Sequence, residues 1–304
     1  MIGEPNLKTL VDQAKDNLSP DSLLIILGPT ASGKTALAVN LAEQLNGEII
    51  SADSRQVYRR MDIGTGKDLD SYGEIAYHLI DIAEPGDRYQ VDRFRHDFFQ
   101  AYDGILSRGK QPILCGGTGS YIQSILQQSL YTQIPKDSAL QAELALRSKE
   151  NLIEDITRLG IPKDYRIDFH NHKRLVRALE ISLYLEQHDP TLLPPQVLSN
   201  YYAIGINPPL LKRREAIHQR LLQRLEQGLV SEVQNLLSLG LTHHDLDYYG
   251  LEYRYISLFL QGTLSYDAMV EKLKTEIQRY AKRQMTYFRK MEKDGISISW
   301  TPAF

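Results

Sequence analysis

The chain of 304 residues is 42% hydrophobic and 24% charged, a balance that buries a core and excludes disorder, a collagen-like repeat and a disulfide scaffold. Its net charge of −3 is at first sight a poor match for a polyanion, and its single cysteine, Cys115, has no partner for an intrachain disulfide and fits a reducing cytosol. The first twenty residues carry Glu4, Asp12 and Asp16 and lack the apolar core of a signal peptide, so a cytoplasmic protein without membrane contact is expected.

Leu23–Leu27 is a short apolar run, far below bilayer length, that ends at Gly28-Pro29. From Lys34 to Leu45 the apolar residues Ala36, Leu37, Leu41 and Leu45 recur at helical spacing, so the segment reads as buried strand, loop, helix. Similar runs recur at Glu48–Ala52, Ala76–Ile82, Gln111–Cys115 and Tyr201–Ile206, with helical stretches such as Arg93–Arg108 and Ser120–Gln128 between them. Strands alternating with helices predict an α/β fold with a parallel sheet covered on both faces. From Lys136 to Gln187 only helices are predicted, broken at Gly160-Ile161-Pro162 and near His170 and closed by Asp189-Pro190 and Pro194-Pro195. Because the strand signal resumes at Tyr201, residues 132–199 are read as a helical insertion into a core of 1–131 and 200–304. After Pro208-Pro209 the chain turns helical again at Leu211–Gln227, Ser231–Leu239, Glu252–Leu260 and Tyr266–Met291.

Gly28-Pro29-Thr30-Ala31-Ser32-Gly33-Lys34-Thr35 satisfies G-x-x-x-x-G-K-[ST] between a strand and a helix start, the placement a phosphate-binding loop requires. Its backbone N–H groups and Lys34 would hold phosphate oxygens, and the Thr35 hydroxyl would reach Mg²⁺. The motif does not say whether the phosphates belong to a nucleotide such as ATP or to a diphosphate ester. Asp53 falls at the end of the second predicted strand, where a carboxylate can bind Mg²⁺ through water, act as a general base or cap the following turn. Met61-Asp62-Ile63-Gly64-Thr65-Gly66-Lys67 and Gly116-Gly117-Thr118-Gly119-Ser120-Tyr121 add two more glycine-rich loops, and three such loops at one sheet edge point to a ligand crevice.

The ordered series G-P-T-A-S-G-K-T, D-S-R-Q-V-Y-R-R-M-D-I-G-T-G-K, H-L-I-D-I, G-G-T-G-S-Y, R-L-V-R-A-L-E and Y-A-K-R-Q-M-T-Y-F-R resembles the motifs of the tRNA dimethylallyltransferases, also called tRNA isopentenyltransferases, from about Leu23 to Lys290. The resemblance implies a P-loop NTPase-like core with a helical insertion that clasps the anticodon stem-loop. It implies transfer of a dimethylallyl group from dimethylallyl diphosphate, with Mg²⁺, to the exocyclic amine of the adenosine beside the anticodon in tRNAs reading U-initial codons. Carried over by position, Asp53 becomes the general base, while Thr35 and Arg220 contact the diphosphate together with Gly28, Pro29, Thr30, Ala31, Ser32, Gly33 and Lys34. Ser54 and Gln56 fall near the flipped adenine, Arg55 among the tRNA-binding positions, Thr118 in the reaction channel, and Lys173, Arg174 and Arg177 at tRNA contacts of the insertion. The sequence departs from the pattern at Gly66, where many members have alanine, at Arg60, where many have glycine, and at Asn171, where an acidic residue is common. A late Gly-Tyr-Lys/Arg-Glu motif is matched only loosely by Tyr248-Tyr249-Gly250-Leu251-Glu252-Tyr253. The compact bacterial form, acting as a monomer, is expected.

Competing readings are an adenylate isopentenyltransferase acting on free AMP, ADP or ATP, a P-loop kinase of small metabolites, and a nucleotide-sensing RNA-binding switch. His170-x-His172 and His243-His244-Asp245 lack a third ligand group and read as surface histidines, and Cys115 as an inert core residue. Charge is also unevenly distributed. Lys272–Lys293 holds eight basic residues against two acidic, Lys212–Arg224 five against one, and Asp62–Asp87 seven acidic against Lys67 alone. The low net charge therefore conceals basic segments suited to RNA, expected to share a groove with Arg174 and Arg177, with the acidic segment turned away.

Overall fold

The alternation of Leu23–Leu27, strand β1, divides its surroundings in two. Leu23, Ile25 and Leu27 enter one apolar cluster and Leu24 and Ile26 another, all five at 0% exposure. A strand buried on both faces belongs inside a parallel sheet. The computed structural model, which describes residues 7–127, 131, 134–162, 165, 167–188 and 196–302, contains that sheet. Its strands are β1, β2 (Gly47–Ser51), β3 (Tyr77–His78), β4 (Gln111–Gly116), β5 (Tyr201–Ile206) and β6 (Ser299–Thr301), in the order β3-β2-β4-β1-β5-β6 with every neighbouring pair parallel.

The helices follow in chain order as α1 (Leu7–Asn17), α2 (Lys34–Leu45), α3 (Val91–Ser107), α4 (Gly119–Leu126), α5 (Ser138–Leu144), α6 (Lys149–Leu159), α7 (His172–Gln187), α8 (Leu210–Glu226), α9 (Leu229–Ser238), α10 (His243–Tyr249), α11 (Leu251–Leu260) and α12 (Tyr266–Lys293). Helices α1 and α2 pack on the cluster that holds Leu24 and Ile26; α3, α4 and α8 to α12 pack on the other. The chain divides into two compact units, residues 1–126 with 198–304, and residues 127–197. The smaller unit has its own core of Leu144, Leu152, Ile156, Leu175, Val176 and Leu179. Its helices are capped in turn by Asp137, Ser148 and Asn171, whose side chains accept backbone N–H groups of the first turn. Asn171 thus does the capping work of an acidic residue without its charge.

Several boundaries differ from the sequence reading. The run Ala76–Ile82 yields only the two-residue edge strand β3, because Leu79 and Asp81 take left-handed φ values of 62° and 57° that end the extended backbone. Leu79 and Ile80 still pack inward, which is why the run is apolar. The three-residue β6 and the seven-residue α10 carried too little periodic signal to be anticipated, whereas α1 was overlooked although Leu7, Leu10, Val11 and Ala14 recur at helical spacing. The breakers Asp189-Pro190 and Pro194-Pro195, and the predicted helix end at Gln128, lie outside the described residues. Among the described residues no helix is long and apolar enough to cross a membrane.

Candidate active site

The strand β1 delivers the phosphate loop to the carboxyl edge of the sheet, and Gly33, at φ 84°, turns it into α2. Ala31 is held in the left-handed region at φ 58°, a conformation that costs a non-glycine residue free energy and recurs at ligand sites. Lys34 folds back so that Nζ donates to the Pro29 carbonyl at 2.7 Å. Burial, together with the nearby Arg220 charge, pushes the Lys34 ammonium down to about 8 against the opposing charge of Asp53. A cation so destabilised is poised to gain from an anion. The Ser32 hydroxyl, buried with no hydrogen-bond partner among the described residues, is likewise an unfilled polar group in the loop.

One residue past β2, Ala52 hydrogen-bonds to β4 through the Cys115 carbonyl at 2.8 Å and accepts from the Thr118 N–H at 3.1 Å, which fixes the position of the next residue, Asp53. The Asp53 Oδ1 accepts the Arg55 N–H at 2.9 Å, so the carboxylate is oriented by its own turn. Thr118 Oγ1 accepts the Ser54 N–H at 3.1 Å, joining the glycine-rich loop after β4 to this turn. Asp53, Ser54, Arg55 and Gln56 line a cavity of about 420 Å³ together with Thr30, Lys34, Thr35 and Arg220. Cys115, read from sequence as inert core, also lines it, although burial raises its thiol to about 12 and keeps it protonated.

The third glycine-rich loop closes the same cavity. Glu232 of α9 accepts the backbone N–H groups of Asp62, Ile63 and Gly64 at 2.7 to 2.9 Å and the Tyr253 hydroxyl at 2.8 Å, pinning the loop from behind. Gln56 Nε2 donates to the Gly66 carbonyl at 3.0 Å and its Oε1 accepts from Ser51, so its amide braces the loop against β2. Lys67 is almost wholly buried, bound to Asp62, Asp81 and the Tyr58 carbonyl, and therefore acts as scaffold. Arg220 Nη2 reaches Asp68 at 2.8 Å and the Gly66 carbonyl at 3.3 Å. The acidic segment is thus a source of counter-ions at the cavity edge, Asp68 among them.

Sequence reasoning gave no site role to several lining residues, among them Arg224 of α8, Glu252 of α11, and Tyr280 and Gln284 of α12. Gln284 accepts the Thr30 N–H at 2.8 Å and donates to the Gly117 carbonyl at 2.9 Å, bridging the phosphate loop to the loop after β4. Its signal was available. Gln284 falls in the buried stripe of α12 between Ile277, Ala281, Met285 and Phe288, where an amide needs partners.

Of the residues singled out from sequence, Gly28, Pro29, Ala31, Ser32, Gly33 and Thr118 are not among those lining this cavity, while Lys173, Arg174 and Arg177 lie on α7 in the other unit. Lys173 and Arg174 are exposed, Arg174 paired with Asp168 at 3.0 Å. Arg177 is instead committed internally, donating to the carbonyls of Tyr131, Ile134 and Pro135 and to Glu180 at 2.5 to 3.2 Å. His172 binds the Arg147 carbonyl, His243 binds Ser257, and Asp245 completes a capping box with Thr242. Among the described residues no group of three or more His, Cys, Asp or Glu side chains could hold a metal. The Thr35 hydroxyl and the Asp53 carboxylate, hard oxygen donors on one cavity, suit Mg²⁺ held chiefly by phosphate oxygens and water. Away from the cavity, the two basic helices meet, and Arg213, Arg214, Arg279 and Lys282 line a second hollow of about 470 Å³.

Residues 56–291 match the family model described as IPP transferase, and residues 21–75 that described as isopentenyl transferase. The chain is 46% identical over 280 residues to tRNA dimethylallyltransferase 2 of Shewanella sediminis, covering 92% of each chain. It is 47% identical over 284 residues to tRNA dimethylallyltransferase 2 of Trichlorobacter lovleyi, covering 92% of this chain and 91% of that one. The crystal structure of the full-length tRNA isopentenylpyrophosphate transferase of Bacillus halodurans superposes with a TM-score of 0.67 at 32% identity, covering 92% and 89% of the two chains. A eukaryotic dimethylallyltransferase acting on tRNA, 21% identical, shares the fold at a TM-score of 0.69 over 92% of this chain and 73% of that one. With the phosphate loop, the Asp53 turn and the long match in agreement, the chain belongs to the IPP transferase family.

Proposed function

We propose that the protein transfers a dimethylallyl group from dimethylallyl diphosphate to the exocyclic N6 amine of the adenosine beside the anticodon, in tRNAs reading U-initial codons, with release of pyrophosphate. The observation that carries this reading is the placement of an oriented carboxylate, Asp53, on the same cavity as Lys34, Thr35 and Arg220. The first is a proton acceptor and the others are phosphate-binding groups.

In the reaction the amine nitrogen forms a bond to C1 of the allyl group as the C1–O bond to diphosphate breaks. The amine proton passes to Asp53, since an aromatic amine is a poor nucleophile until that proton has an acceptor. The leaving diphosphate gains charge, which the loop amides, Lys34 and Arg220 stabilise. Mg²⁺, when bound, neutralises further charge on the phosphates. Leu251, Ile277 and Tyr280 give the same cavity apolar surface for the five-carbon chain. Access to the amine requires the base to leave its stack, a cost of a few kcal/mol that an anticodon loop lowers.

The names of the relatives support RNA as acceptor over free adenine nucleotides. The exposed Lys173 and Arg174 of α7 supply phosphate contacts on the insertion. Incubation with dimethylallyl diphosphate and Mg²⁺, offering an anticodon stem-loop or AMP, followed by mass spectrometry of both acceptors, tests the reading. A prenylated stem-loop is expected; prenylated AMP beside an unmodified stem-loop would refute it.

A further inference from the structure

Arg224 lies one helical turn beyond Arg220 on α8 and lines the same cavity, yet the chemistry described so far gives it no role. Its side chain is 9% exposed. Its partners are poor for so buried a charge: Nη1 reaches the Gly64 carbonyl at 3.3 Å and Glu252 Oε1 at 3.4 Å. Nε is buried and has no partner among the described residues. A guanidinium offers five N–H donors in a rigid fork, and an ion pair that stabilises structure fills them at shorter distances. Arg177, with contacts of 2.5 to 3.2 Å, is such a case in this chain.

The backbone has been shaped to admit the group. Gly66 is left-handed at φ 63°, and a Cβ built there would fall 1.6 Å from Arg224 Nη2 and 2.3 Å from Arg220 Nη2. Two guanidinium groups therefore meet over a glycine, and a Cβ there would have to displace the ends of both side chains. A small hollow also joins Arg224 and Arg220 to Thr30 and Ala31 of the phosphate loop. Burial and the Arg220 charge both disfavour the Arg224 cation, and Glu252 only partly offsets them. Glu252, half-buried, has its carboxyl raised by loss of water, with Arg224 the strongest opposing influence.

We propose that Arg224 is a second guanidinium of the diphosphate pocket, retained between ligands by Glu252 and the Gly64 carbonyl and transferred to phosphate oxygens when a diphosphate lies beside Arg220. This rests on the reading of the cavity as a diphosphate-donor site. Glu252 is then a competitor of the ligand for one cation, and Gly66 the clearance that lets the cation be shared.

Calorimetric titration of the full chain with inorganic pyrophosphate and Mg²⁺ tests this without any acceptor. Arg224→Lys is expected to weaken binding about tenfold or more, since an ammonium cannot supply the fork. Because a buried arginine also supports the fold, the deciding variant is Glu252→Gln, which removes the competitor and is expected to tighten pyrophosphate binding about threefold or more. A purely structural Arg224–Glu252 pair predicts the opposite sign, so unchanged or weaker binding by Glu252→Gln would overturn the proposal. Gly66→Ala is expected to weaken pyrophosphate and to raise KM for the prenyl diphosphate while leaving KM for the stem-loop in place; a shift confined to the stem-loop would also overturn it. Failure of the unsubstituted protein to bind pyrophosphate would instead remove the diphosphate-donor reading, and this inference with it.

Discussion

Arg177 of the insertion and Arg220 of the core both stood out in the sequence as anion contacts, and the structure treats them differently. Arg177 has four acceptors around it and ties the chain before α5 to α7. Arg220 has one carboxylate, on an exposed aspartate, and a distant carbonyl, and its face is turned to the cavity. The lesson is that a cation is available to a ligand only to the extent that the fold leaves its donors unfilled. By that measure the donors of Arg220 and Arg224 are less fully occupied by the fold than those of Arg177.

The sharpest separation comes from Asp53→Ala, which should lower turnover by about 10²- to 10⁴-fold, the usual contribution of a general base, with pyrophosphate affinity retained. Undiminished single-turnover rates would remove Asp53 from the chemistry. Arg220→Gln should cost about 10²- to 10³-fold in kcat, as for a charge-stabilising donor, with little change in Tm. Arg177→Gln should do the reverse. It leaves Glu180, 3% exposed, without its cation, and loss of about 3 to 5 kcal/mol in the insertion is expected, read as a lower Tm or faster proteolysis of residues 132–199. If Arg177→Gln spared stability and abolished RNA affinity, the contrast would collapse.

Lys34 adds a pH dependence. With its ammonium lowered to about 8 in the protein, the charged form that attracts diphosphate is intact below pH 8 and lost above it. Pyrophosphate affinity should therefore hold below pH 8 and fall by up to about tenfold per pH unit above, with proton uptake on binding. A flat profile from pH 7 to 10 would contradict this. The smallest effect is expected from Arg174→Gln, an exposed pair worth about 0 to 1 kcal/mol in stability, which should alter RNA affinity a few-fold and leave Tm unchanged.

These contrasts also show what sequence could reveal. The phosphate loop and the Asp53 turn were legible because each is a contiguous segment placed at a strand end, and β1, α2 and β5 matched their apolar spacing to the residue. Arg224, Glu252 and Gln284 were not assigned, because they reach the cavity only through the packing of α8, α11 and α12 on one another. What was visible was a polar residue in a buried stripe, and that pattern does not name its partner. Gly66, noted as a departure from the family pattern, and Glu252, in the loosely matched late motif, acquire a shared meaning only once both are seen to lie against Arg224. Arg60, another departure, takes φ 63° where a glycine would sit without strain, and it meets Glu84 at 3.9 Å.

The carboxylate of Glu232, closed on three consecutive backbone N–H groups, occupies a concave nest of the kind that elsewhere receives phosphate. On the proposed reading the protein has two anion cradles, one of them filled by its own side chain. Because the filled cradle already immobilises the turn that carries Gly66, a diphosphate arriving at the other meets a wall whose conformational entropy was lost at folding. Glu232→Gln, a substitution outside the cavity lining, should therefore leave bond making intact but convert diphosphate binding into an entropically more costly event, with the same turn ordering only as the ligand arrives.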